Sequence, residues 1–207
     1  MYARTTTITG DPRAVDDGIA YVRDEVWPMV QQLEGYVGLS MLADREAGRC
    51  IITTAWADEA AMRASADAVR DSRARAAEVM RADRVDIQEW DIVRMHRDHP
   101  TREGACARVT WTSGDMAQLE RSIDVMGMSV LPRLEELPGF CSVSQLLDRK
   151  TGMSTVTAVY DSREAMDRSG EQVAGMRSEV MADSGVRVTE VAVFDLAIAH
   201  LRVPEMA

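Results

Sequence analysis

Shifted by 104 residues, the chain lies on itself without a gap. Val26-Trp27-Pro28 falls on Val130-Leu131-Pro132, and Leu33-Glu34-Gly35-Tyr36 on Leu137-Pro138-Gly139-Phe140. Asp44-Arg45 with Gly48 falls on Asp148-Arg149 with Gly152, Ala61-Met62 on Ala165-Met166, Asp91 on Asp195 and His96 on His200. About 23 of some 95 aligned positions are identical. Such a match marks two copies of one supersecondary unit, each with an apolar face that the other can cover. The chain reads as a first unit over 1–97, a linker over 98–103 and a second unit over 104–207. Six linker residues reach ~20 Å at most, so repeat-to-repeat packing within one chain is the first partner expected. A homodimer through the outer faces is a further one.

Each copy reads strand, helix, strand, strand, helix, strand. Strand one is Arg4 to Thr9, and its copy Arg108 to Thr112. Asp11 followed by Pro12 starts a helix. That helix carries Val15, Ile19, Val22, Val26 and Val30, copied as Leu119, Ile123, Met126, Val130 and Leu134, an apolar stripe on a 3.6-residue period. Pro28 and Pro132 fall late in it and are expected to kink the helix or open a separate last turn. Gly35 and Gly139 end it. A hairpin follows through Asp44 to Gly48, copied as Asp148 to Gly152, with glycine supplying the positive φ. Helix two begins at a capping box in the second copy, with Asp161 as N-cap and Glu164 reaching back.

Strand four reads as apolar on both faces: Ala192, Phe194, Leu196 and Ile198 point one way, Val191, Val193, Ala197 and Ala199 the other. A strand apolar on both faces is buried on both. The helices cover one face of such a sheet, so the other needs a second layer, for which the sister repeat is the candidate. The β-α-β-β-α-β order is the ferredoxin-like one, an α+β fold.

Composition narrows the partners. The net charge is −10, which argues against nucleic acid. Arginine outnumbers lysine 23 to 1 and asparagine is absent, a bias read as genomic because the arginines are spread along the chain. No run of about 18 apolar residues exists and the N-terminus lacks an apolar core, so neither a membrane nor a secretory signal is expected. Cys50, Cys106 and Cys141 are odd in number and form no CxxC, as expected of buried reduced thiols in a cytoplasmic protein.

The string Glu34-Gly35-Tyr36-Val37-Gly38, then Asp44-Arg45, then Thr54-Ala55-Trp56-Ala57-Asp58-Glu59-Ala60-Ala61-Met62, resembles the antibiotic biosynthesis monooxygenase (ABM) domain. So does Pro138-Gly139-Phe140 through Tyr160-Asp161-Ser162-Arg163-Glu164-Ala165-Met166. The resemblance covers both halves and implies a dimeric α+β barrel, built here as a tandem, pseudo-dimeric barrel of two ferredoxin-like units. It implies an oxygenase acting on a small hydrophobic or aromatic molecule without flavin or nicotinamide. The family's haem-degrading branch uses an asparagine on strand one with a tryptophan and a histidine on helix two. Strand one here offers Thr5, Thr6 and Thr7, or Val109, Thr110 and Trp111, and helix two has neither residue, so that set is absent. Two alternatives stand beside the oxygenase: a non-catalytic small-ligand-binding or stress-related barrel, and a haem-binding barrel with His96 or His200 as axial ligand.

The residues able to carry chemistry are few. His96 and His200, matched at the end of strand four, are candidate bases. Asp91 and Asp195, also matched, interrupt an apolar strand, where a carboxylate needs a partner or a raised pKa. Arg4 and Arg108 on strand one are the partners the sequence offers them. Trp56, Tyr160, Trp90, Phe194 and Trp111 are the candidate substrate-stacking aromatics, with core packing as the alternative. No motif carries metal-ligand spacing, so no metal site is expected.

Overall fold

The structure, a computed structural model, describes residues 1–201 and 203–205. Its strands are β1 (Tyr2–Thr9), β2 (Tyr36–Asp44), β3 (Arg49–Trp56), β4 (Arg84–Arg97), β5 (Cys106–Ser113), β6 (Phe140–Asp148), β7 (Met153–Tyr160) and β8 (Arg187–Leu201). They are hydrogen-bonded in the closed order β1-β3-β2-β8-β5-β7-β6-β4, an eight-stranded barrel. This is the α+β, ferredoxin-like architecture expected from the repeat. By contacts the chain divides into two compact units, Met1–Trp90 with Asp195–Val203, and Asp91–Phe194 with Pro204–Ala207. β4 and β8 therefore each leave one unit halfway and finish in the other.

In the first unit, β3 pairs antiparallel with β1 from Tyr2↔Trp56 to Thr9↔Arg49, and with β2 down to Asp44↔Arg49. The far edge of β2 takes the end of β8, from Ala43↔Asp195 to Leu39↔His200. The helical stripe lies on this sheet: Val15 and Ile19 of α1 (Val15–Tyr21), Val22, and Val30 of α2 (Trp27–Val30) meet Leu39, Met41 and Ile52 in one buried cluster. Each such aliphatic side chain, fully buried, contributes about 1.5–3 kcal/mol. The second unit repeats this. β7 pairs with β5 and β6, and β6 with the end of β4 from Asp91↔Leu147 to Arg97↔Ser142. There Val130, Leu134, Phe140, Val143, Tyr160 and Met176 share a buried cluster.

The prolines act as a separate turn. Val22–Val26 and Met126–Val130 are single π-helical turns, and α2 and α6 (Leu131–Glu135) restart after them with proline in their first two positions. A proline ring crowds the carbonyl one turn back and offers no N–H. A widened turn ahead of it relieves both problems. Gly35 and Gly139 follow at φ +75° and +80°. They are needed twice over: a Cβ on Gly35 would sit 2.4 Å from the Ala61 Cβ, and one on Gly139 2.7 Å from the Ala165 Cβ.

Three local expectations are corrected. Helix two is broken in each copy, into α3 (Glu59–Ala68) and α4 (Arg70–Val79), and into α7 (Arg163–Arg168) and α8 (Gly170–Ser184). Its second-copy N-cap is Ser162, which accepts from the Ala165 N–H, one residue beyond Asp161. Strand four does not keep its parity. Ile92 pairs with Leu146 but Arg94 with Gln145, and Leu196 with Leu42 but Ile198 with Met41. Val93 and Ala197 are thus matched bulge residues, each adding one residue that reverses which face follows. Ile198 joins the helix-side cluster, whereas Phe194 packs edge-on against Trp111 with centroids 6.4 Å apart.

Candidate functional site: a cavity under the helices of each unit

In each unit the helices stand off the sheet around one cavity, and the two cavities are copies. In the first unit it is lined by Arg4, Thr6 and Ile8 of β1, by Val22 and Val26, and by Arg73 of α4, among others, with about 470 Å³ of space partly open to solvent. In the second, Arg108, Thr110 and Thr112 of β5, Met126, Val130 and Arg177 of α8 stand at the positions 104 residues on, around about 600 Å³. The second is also walled by Met176, Val180 and Met181, where soft and branched side chains give an adaptable apolar surface.

Strand one places an arginine at each cavity wall, and the two arginines live differently. In the first unit Arg4, 4% exposed, is fully engaged. Its Nη1 donates to Ser65 Oγ at 2.9 Å, and its Nη2 to the Met62 carbonyl at 2.8 Å and to Glu89 Oε1 at 2.9 Å. In the second unit Arg108 keeps only the carbonyl bond, from Nη2 to Met166 at 3.1 Å. The serine is present as Ser169 and donates to the Met166 carbonyl as Ser65 does to that of Met62, but it accepts no bond from Arg108. The position of Glu89 is taken by Val193, packed on the apolar cluster. Arg108 Nη1 is buried without a hydrogen-bond partner, and the guanidinium lies 5.8 Å from the Tyr160 ring centroid. Burial raises the Tyr160 hydroxyl pKa, and nearby Ser169 and Arg108 oppose that rise.

The second matched pair of cavity arginines is Arg73 and Arg177. Arg73 has its pKa lowered, first by burial and then by Arg4 and Arg70, with Glu89 pulling it back. Arg177 makes no ion pair or hydrogen bond to a described residue. Sequence reasoning missed this pair and missed the exchange of Glu89 for Val193. Both were visible in the 104-residue alignment, where the Arg73/Arg177 identity and the charge change stand side by side.

The residues singled out from sequence lie elsewhere. Asp91 receives Arg149 Nε at 2.7 Å, and Asp195 receives Arg45 Nη1 at 2.7 Å. Their partners are the hairpin arginines, not Arg4 and Arg108, because the bulges at Val93 and Ala197 set these carboxylates beside the loops. His96 Nε2 lies 2.8 Å from Glu135 and its Nδ1 3.3 Å from Glu205. His200 is exposed and stacks flat on Trp27, ring centroids 3.6 Å apart. Trp56 and Tyr160 are buried edge-on against Tyr36 and Phe140, and Trp90 donates its indole N–H to Thr5 at 2.9 Å. None of these residues, nor Phe194 or Trp111, is among those lining either cavity. Among the described residues neither cavity is lined by a histidine.

One cluster was unforeseen. His99 of the linker, Cys141 and Asp161 bring ligand atoms within 4.8 Å of one another. The Cys141 thiol donates to Asp161 at 3.4 Å, and burial with that neighbouring carboxylate pushes its pKa up to about 12. It stands there as a neutral thiol. No disulfide forms among the three cysteines.

Among the described residues no helix is long and apolar enough to cross a membrane. No family model matches the chain. In fold it is similar to an anthrone oxidase-like protein, with TM-score 0.65 and 12% identity over 97% of this chain and 90% of that one. A ferredoxin-fold protein of Listeria monocytogenes related to antibiotic biosynthesis monooxygenases, and the Listeria monocytogenes haem-degrading enzyme LmHde, each align with TM-score 0.54 over 94% of this chain, at 7% and 9% identity. They cover 94% and 99% of those chains and share the ABM fold. In sequence the chain is 48% identical to the Mycobacterium tuberculosis protein Rv2558 across all 207 residues, covering 87% of that protein, and 43% identical to Rv2557, covering 92%. An ABM-fold tandem barrel with this identity along its whole length belongs to the family of the uncharacterised mycobacterial proteins Rv2558 and Rv2557.

Proposed function

We propose that this chain takes one small hydrophobic molecule into the cavity of its second unit and oxygenates it without flavin or nicotinamide. The observation that carries the reading is the cavity's lining: Met, Val and Leu side chains, with Arg108 and Arg177 as its charges. An apolar wall excludes water from a reactive substrate anion, and a fixed guanidinium stabilises that anion without reorganisation. The shared fold with an anthrone oxidase-like protein supports an aromatic substrate with an acidic C–H.

A second reading rests on what the wall lacks. Among the described residues neither cavity is lined by a carboxylate or an imidazole, so no side chain there serves as an ordinary general base. A non-catalytic ligand-binding protein needs none.

Oxygen uptake with 1,8-dihydroxyanthrone separates the two. The oxygenase reading expects protein-dependent uptake that is lost in Val180→Phe, which fills the cavity. Saturable binding of the same compound without uptake above the spontaneous rate would contradict the oxygenase and leave the binder.

A further inference from the structure

The two cavities differ by one charge. Four arginines occupy matched positions, two per cavity, yet only the first unit supplies a glutamate to them. In a chain of net charge −10, the second unit keeps Arg108 and Arg177 at an apolar wall with no carboxylate opposite them. A buried guanidinium N–H without an acceptor is costly, more so because the group is charged. Valine at 193 removes the carboxylate that Arg4 holds through Nε and Nη2, and Arg108 Nη1, whose counterpart donates to Ser65 Oγ, has no acceptor either.

We infer that the second cavity takes an apolar molecule bearing one carboxylate, whose oxygens accept from the Arg108 guanidinium with Arg177 as the second cation. The inference rests on the proposed small-molecule role and names its substrate class. Glu89 plays the part of that carboxylate in the first unit, bonded to Arg4 from within the protein. The first cavity is thus satisfied without ligand, and the second is completed by one. The Nε and Nη2 edge that holds Glu89 on Arg4 is the edge that suits a carboxylate on Arg108.

The test is displacement of the neutral dye N-phenyl-1-naphthylamine from the full chain by decanoate and by decanol. Decanol is the more apolar of the two, so hydrophobicity alone favours it. The expected result is displacement by decanoate at about tenfold lower concentration than decanol or better, the size of a charge-assisted hydrogen bond. Arg108→Gln should bring the two within about twofold. Val193→Glu should do the same while keeping Arg108, because it installs the internal carboxylate of the first unit. Dye uptake with equal displacement by acid and alcohol, or a preference that survives in both variants, overturns this inference alone. A chain that takes up no dye overturns it together with the small-molecule reading.

Discussion

Arg4 and Glu89, 85 positions apart, meet through Nη2 and Oε1 at 2.9 Å, and their counterparts 104 residues on are Arg108 and Val193. One unit has closed its cavity chemically and the other has not. Glu89→Val should therefore make the first unit resemble the second. The arginine it leaves behind is buried, though Glu89 itself is 38% exposed and already screened by water. The expected loss is roughly 1–3 kcal/mol, read as a lower urea midpoint with unchanged slope. A loss below about 0.5 kcal/mol would show that Ser65 and the Met62 carbonyl suffice.

The matched aspartates are expected to be structural. Asp91 and Asp195 sit in partly exposed pairs with Arg149 and Arg45, at side-chain exposures of 24% with 51% and 47% with 45%. Such pairs contribute about 0–1 kcal/mol. Asp91→Asn and Asp195→Asn should each lower stability by no more than that and leave ligand affinity within about twofold. An affinity or turnover loss of tenfold in a folded variant would restore them as site residues.

Two buried thiols set an alkaline limit. Burial raises both Cys50 and Cys141 to about 12 from the ordinary 9. A folded-state pKa raised above the unfolded one gives stability that is complete below the unfolded value and lost as pH climbs toward the folded one. Melting temperature should therefore fall between about pH 9 and 12, with a shallower fall in Cys50→Ala/Cys141→Ala. The same protonated thiols should react slowly with iodoacetamide at pH 8. Fast labelling of Cys141 in the native protein would contradict the assignment.

Gly139→Ala tests the loop that ends the first helix of the second unit. It adds a Cβ at φ +80° and 2.7 Å from Ala165. Strain and overlap together should cost about 1–3 kcal/mol, measured by denaturant unfolding. A neutral variant would mean that the turn before Phe140 is free to move.

Much of the fold could be read from sequence because it depends on local signals repeated twice. The valine stripe on helix one, Gly35 with Gly139, and the Asp44 and Asp148 hairpins are fixed by neighbours in the chain. The faces of strand four could not be read, because Val93 and Ala197 look like any strand residue and a bulge depends on the opposing strand. The site was obscured for a related reason. His96, His200, Asp91 and Asp195 draw attention by residue type, yet each is occupied by Glu135, Trp27, Arg149 or Arg45 near a strand end or a loop. The informative positions were a loss, Glu89 to Val193, and an arginine pair inside a helix whose facing sheet residues only the fold identifies.

The most direct test of where a ligand goes is methyl NMR of the methionine-labelled protein during titration with decanoate. Met126, Met176 and Met181 line the second cavity, and no methionine lines the first. Saturable shifts of those three methyls are expected, with Met29, Met41 and Met62 unmoved. Shifts confined to the first unit's methionines, or none at saturating decanoate, would contradict that expectation.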